Sequence, residues 1–244
     1  GQGGASCPRA FQGAMKLSKR LACCAELVPA GARVADVGCD HGYLSILLAQ
    51  RGHAVQACDL REKPLHKAQR NAALCGVAEK IRFCLADGLD AVAPESVDAV
   101  ICAGMGGDLI AQILARAPWL RDARYTLILQ PQSSGNDLRR ALGAMGFGTR
   151  RELLVRDGGF LYNVLLVRFG GAVPLTPGQE YCPPLLLQDP LLLPYLERLE
   201  RSLALTVAGI ERAQTPSDRL PYYTAACNEI RVLLEKERAN ADRT

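Results

Sequence analysis

The 244-residue sequence predicts an open α/β sheet, doubly wound and mostly parallel, with an antiparallel β-hairpin at its end and a helical hairpin after it. Three observations carry this reading. Apolar runs of β type alternate with segments whose apolar residues recur every three to four positions, the pattern of a parallel sheet covered on both faces. Two strand-like runs then follow one another directly, joined at Asp157-Gly158-Gly159, a turn signal. After Gly170-Gly171 the character changes: Pro174, Pro177, Pro183 and Pro184 mark a linker, and two amphipathic stretches follow it.

In chain order, KLSKRLACCAELV (16–28) reads as a basic amphipathic helix, broken by PAGA. The strands are RVADVG (33–38), AVQACDL (54–60), IRFCLAD (81–87), VDAVICAG (97–104) and YTLILQP (125–131). Between them lie the helical patterns 43–52, 63–76, 106–118 and 136–146. The hairpin pairs 149–158 with 159–170. Residues 193–212 carry the stripe Leu196, Leu199, Leu203, Val207, Ile210, and residues 221–238 carry Tyr223, Cys227, Ile230, Leu234; with QTPSD between them they predict two antiparallel helices. Three segments result: 1–14, an artificial or disordered extension opening on GQGGAS; 15–172, the α/β domain; and 173–244, a helical pair.

Composition narrows the function classes. The 29 Lys+Arg against 25 Asp+Glu give +4, which permits an anionic partner without announcing one. No run of about 18 apolar residues suggests a membrane span. Ten cysteines are scattered without a Cys-x-x-Cys, and three histidines make no metal-ligand cluster, so neither a metal nor a disulfide framework is expected. Cys58, Cys84 and Cys102 fall inside strands, where a thiol is a small buried hydrophobe of a reducing, cytoplasmic compartment.

The chemistry concentrates at strand ends. VADVGCDHGYLS (34–45) resembles the Gly-x-Gly-x-x-Gly loop that cradles phosphates, yet Asp40 and His41 follow where the second glycine belongs. Asp36 and Gly38 end the first strand; Asp59 ends the second, 23 residues after Asp36, a spacing that suits a ribose diol; Asp87-Gly88 ends the third; Gly104-Met105-Gly106-Gly107 ends the fourth. Four polar or glycine-rich loops thus share one sheet edge. A carboxylate at position 40 would repel a pyrophosphate at short range. It would attract S-adenosylmethionine, which carries a sulfonium and an ammonium but no phosphate. The terminal hairpin agrees, because methyltransferase sheets of this type finish with an antiparallel strand inserted in the edge.

KLSKRL, ADVGCDHGYL, DGL, AGMGG and LILQP, in this order and spacing, with YCPPLLL before the helical pair, resemble the bacterial tRNA (adenine-22-N1)-methyltransferases of the TrmK type. The departures are Cys39, Asp59 and Ser45, where serine, glutamate and proline are usual. The resemblance implies a class I, Rossmann-like methyltransferase domain with a coiled-coil-like helical pair. It also implies S-adenosylmethionine as cofactor and N1 of a tRNA adenine as acceptor, in a cytoplasmic monomer with no metal. Under it Asp36, Gly38, Asp59, Asp87, Gly88, Gly104 and Met105 bind cofactor, Asp40 and His41 serve catalysis, and Lys16, Lys19 and Arg20 meet RNA. AGMGG stands where exocyclic-amine methylases carry Asn-Pro-Pro-Tyr, which is compatible with attack by a ring nitrogen whose in-plane lone pair mainly needs alignment.

Blander readings stand beside these. Asp40 would merely cap the helix beginning at Tyr43, His41 would be a packed loop residue, and the glycines would serve tight turns. The cations Lys16, Lys19, Arg20, Arg139, Arg140, Arg150 and Arg151 would be solvated surface. The alternative functions are a methyltransferase acting on a protein or small molecule, and a non-catalytic cofactor-binding module.

Overall fold

The structure is a computed structural model and describes residues 17–213 and 217–241. Lys16 and the 1–14 extension therefore lie outside the described residues. Seven strands form one sheet: β1 (Val34–Val37), β2 (Val55–Asp59), β3 (Ile81–Leu85), β4 (Ala99–Met105), β5 (Thr126–Pro131), β6 (Phe147–Asp157) and β7 (Phe160–Phe169). Their spatial order is β3-β2-β1-β4-β5-β7-β6. β1 pairs in parallel with β2 (Val34↔Val55) on one side and with β4 (Val34↔Ala99) on the other, so the strand order reverses beside β1 and opens a crevice at its carboxyl end. β7 runs antiparallel between β5 and β6, from the turn Asp157↔Phe160.

The helices are α1 (Lys19–Glu26), α2 (Tyr43–Gln50), α3 (Glu62–Leu74), α4 (Gly107–Ala115), α5 (Gly135–Ala144), the short α6 (Pro177–Tyr181), α7 (Leu192–Arg212) and α8 (Leu220–Ala241). Burial explains the strand composition. Every residue of β1, β2 and β5 is buried, because both faces are covered. On one face Val34, Val55 and Ile101 pack with Ile46 and Leu48 of α2 and with Leu65, Ala68 and Ala72 of α3. On the other, Val37, Val100 and Leu127 pack with Ile110 and Leu114 of α4 and with Leu138 and Leu142 of α5. Each such Leu or Ile contributes about 1.5–3 kcal/mol by leaving water.

A third core joins α7 and α8 through Leu196, Leu199, Leu203, Cys227, Ile230 and Leu234. Val207 packs on this core from a half-buried position, so the predicted stripe weakens toward the end of α7. The same core takes Leu154 from β6 and Leu161 from β7. The helical pair therefore completes the packing of the α/β hairpin, since it buries Leu154 and Leu161. A buried ion pair reinforces the joint. Arg139 of α5 bonds Glu152 of β6, with side chains 4% and 0% exposed, and donates to the Glu180 carbonyl of α6 at 2.7 Å. Arg140 pairs with Glu180 and Asp137. Arg139 is thereby buried and paired rather than solvated surface, whereas Arg140, paired as it is, stays 45% exposed.

Candidate active site

The crevice beside β1 is a cavity of about 590 Å³, within the range of ordinary small-molecule sites. Asp36 through His41, without Val37, form its floor together with Asp59, Leu60 and Arg61 after β2 and Ala103, Gly104 and Met105 at the end of β4; Arg20 of α1 and Gln132 after β5 close it.

The turn from β1 into α2 is wound tightly. Gly38, Asp40 and Gly42 all have positive φ, at +71°, +49° and +76°. A Cβ on Gly38 would stand 2.9 Å from the Met105 methyl, and one on Gly42 would stand 2.8 Å from the Ala68 Cβ. Both positions need glycine for φ and for space. Asp40 is the exception, a non-glycine residue held left-handed, a conformation that costs energy and persists where its surroundings enforce it. Here its N–H donates to Asp59 Oδ2 at 3.0 Å, and the next carbonyl, of His41, accepts from Asn71 Nδ2 at 2.9 Å. The cap of α2 is Gly42, without a side-chain bond, so Asp40 is not the helix cap. Its carboxylate is 55% exposed and stands 3.0 Å from His41 Nδ1 and 3.6 Å from Arg61 Nη2.

The two other carboxylates are buried. Asp36 accepts from the Ser45 hydroxyl at 2.6 Å, and burial, only partly offset by that bond, lifts its carboxyl to about 6. Asp59 accepts from the N–H groups of Asp40 and Arg61, which joins the first two strand-end loops through one side chain. At the fourth strand the register slips at Gly104 (φ +74°), whose N–H leaves the ladder to donate to Gln130 Oε1 at 2.9 Å. The same oxygen accepts from Arg20 Nη1 at 2.8 Å. Arg20 thus faces the cavity, whereas Lys19 is exposed beside it.

Asp36, Gly38, Asp40, His41, Asp59, Gly104 and Met105 meet here as expected. Asp87 and Gly88 do not line the cavity: the Asp87 carboxylate bonds Arg116 Nη1 at 2.8 Å, and Gly88 faces Arg116 and Ile113. Gln130, Gln132, Arg61, Leu60 and Leu109 escaped the sequence reading. The signal for the glutamines was present, since Gln-Pro-Gln closes a strand that is otherwise apolar.

The lining suits S-adenosylmethionine. Three carboxylates against two guanidinium groups favour a cationic ligand over a pyrophosphate. Leu60 and Leu109, 67% and 46% exposed, offer apolar surface for a nucleobase. Asp59, at the end of β2, lines the same cavity.

Residues 17–165 match the family described as a methyltransferase domain. The chain belongs to that family. This methyltransferase is 34% identical over 158 residues to the tRNA (adenine(22)-N(1))-methyltransferase of Bacillus subtilis, a match covering 64% of the chain and 66% of the relative. A Streptococcus pneumoniae crystal structure of a candidate tRNA (m1A22) methyltransferase superposes with TM-score 0.76 and 32% identity over 89% of this chain and 99% of that one. The same protein is also solved in complex with S-adenosyl-L-methionine. The B. subtilis m1A22 tRNA methyltransferase TrmK superposes with TM-score 0.77 and 26% identity, over 90% and 99%. The methyltransferase falls with the TrmK group that its motifs resemble, and it has the class I methyltransferase fold.

Among the described residues of the methyltransferase, no cluster of three or more His, Cys, Asp or Glu side chains could hold a metal ion. No described helix is long and apolar enough to cross a membrane. Burial raises the thiols of Cys24, Cys39, Cys58 and Cys102 above their ordinary value.

Proposed function

We infer that the protein methylates N1 of adenine 22 in tRNA, with S-adenosylmethionine as donor. The observation that carries this reading is the likeness to the S. pneumoniae protein over nearly the whole of both chains, the helical pair included. Asp36, Gly38, Asp59, Gly104 and Met105 hold the cofactor, and its sulfonium supplies the methyl group that N1 takes with its in-plane lone pair.

The chain's own work is binding and alignment. Asp36 and Asp40 put negative charge around a cationic ligand. Asp40, exposed at the cavity edge, orients the adenine N6 amine and accepts the proton that the methylated base makes acidic. His41, 3.0 Å away, passes that proton to solvent. Arg20 fixes the β4 and β5 loops through Gln130 rather than meeting RNA from outside, while Lys19 remains an RNA contact. The enzyme works in the cytoplasm as a monomer.

Incubation with labelled cofactor and unmodified tRNA transcripts, followed by nucleoside mapping, tests the reading. Label in 1-methyladenosine supports it. Label confined to protein or small molecules moves the enzyme to another acceptor class.

A further inference from the structure

A second cleft of about 470 Å³ lies beside the cofactor cavity, and its walls come from four parts of the chain. The loop after β5 and the start of α5 contribute Ser133, Ser134 and Asn136; the hairpin contributes Phe160 and Tyr162; α6 contributes Tyr181; α7 contributes Arg198. Two features join cleft and cavity. Gln132 lines both, and the Arg20 guanidinium inside the cavity stands 5.6 Å over the Tyr162 ring that lines the cleft.

The two spaces differ in charge. The cavity holds three carboxylates, whereas the cleft has Arg139 and Arg198 in its lining and no acidic side chain. Arg139 is consumed by Glu152, but Arg198 is an exposed residue with no acidic partner among the described residues, held by a bond from Nη1 to the Leu161 carbonyl at 2.9 Å and with its guanidinium 5.4 Å over the Tyr195 ring. Phe160 is 64% exposed at the hairpin tip, its ring 6.4 Å from that of Tyr162, centroid to centroid. Hydroxyls and amides make up much of the remaining lining. An uncovered aromatic ring, a cation, and neutral donors and acceptors without opposing acid are what single-stranded nucleic acid requires.

We propose that this cleft holds the RNA strand next to the reacting adenine, a flanking nucleobase stacking on Phe160 and its phosphate facing Arg198. The proposal rests on the tRNA reading and deepens it. The reacting base enters at Gln132, where cleft and cavity meet, and its neighbour occupies the part walled by the hairpin and α7. The helical pair then shapes the substrate site itself rather than serving as a separate handle.

The experiment compares the parent, Phe160→Ala and Phe160→Trp, using an unmodified tRNA transcript and two transcripts with an abasic nucleotide on either side of adenine 22. Stacking on Phe160 makes Phe160→Ala bind intact tRNA about tenfold more weakly, with cofactor affinity unchanged and with Phe160→Trp restored to the parent level. One abasic transcript weakens the parent similarly and costs Phe160→Ala nothing further, because both changes remove one contact. Parent-like tRNA binding by Phe160→Ala, or additive losses with both abasic transcripts, overturns the cleft assignment. A parent enzyme that leaves every tRNA transcript unmethylated overturns the functional reading instead.

Discussion

Asp40 shows what one residue contributes when sequence and backbone are read together. Its backbone is held left-handed, and its exposed carboxylate stands 3.0 Å from His41 Nδ1 at the cavity edge. Asp40→Asn keeps the shape and removes the charge; cofactor binding should stay measurable while the methylation rate falls by about 10² or more. A rate within a few-fold of the parent would leave Asp40 as a loop-ordering residue. Asp59→Ala should weaken cofactor binding by about 1.5–3 kcal/mol in calorimetry, and unchanged affinity would remove it from the site. Asp36 sets a pH dependence. Its folded carboxyl titrates at about 6, above the ordinary 3.8, so the ligand-free native state binds the extra proton and loses stability as pH rises between those values. A cationic ligand favours the ionised form. Cofactor affinity should therefore rise with pH through about 6, by about tenfold between pH 5 and 7, and the profile should flatten in Asp36→Asn. Much of this was legible, because charge type and strand-end position are written locally. The pairing of Asp87 with Arg116 was not legible, because Arg116 sits 29 residues away at the end of α4.

Elements were legible where periodicity was strong and less so where partners are distant. The β1 to β5 strands and both long helices appear where alternation and stripes placed them. The insertion of β7 between β5 and β6 was anticipated from the hairpin, yet its burial against α7 was not, because nothing in 149–170 announces that Leu154 and Leu161 face the helical pair. Arg139 likewise read as a surface charge until the fold brings α5 onto β6 and pairs it with Glu152. Glu152→Ala would strand a buried guanidinium and should cost about 3–5 kcal/mol in urea unfolding. A loss below about 1 kcal/mol would mean that the pair is hydrated in solution. A chain ending at Phe169 keeps every residue of the cofactor cavity but uncovers Leu154 and Leu161. It should still bind cofactor, unfold at lower temperature and lose tRNA affinity; undiminished tRNA methylation would reduce the helical pair to packing material.

At the scale of the whole molecule, two juxtaposed spaces of different charge describe a transferase. An acidic cavity suits a cationic donor, and an acid-free cleft beside it suits an anionic acceptor. The cleft was not legible from sequence because its walls come from residues 131–199 brought together only by the docking of α7. Association with tRNA should weaken steeply as salt rises, whereas a small-molecule acceptor would show little such slope. The most direct measurement is methyl transfer from labelled cofactor to a tRNA transcript and to its twin with guanine at position 22. The account predicts label at N1 of adenine 22 in the first and none in the second; equal labelling of both, or label at another nucleoside, would contradict it.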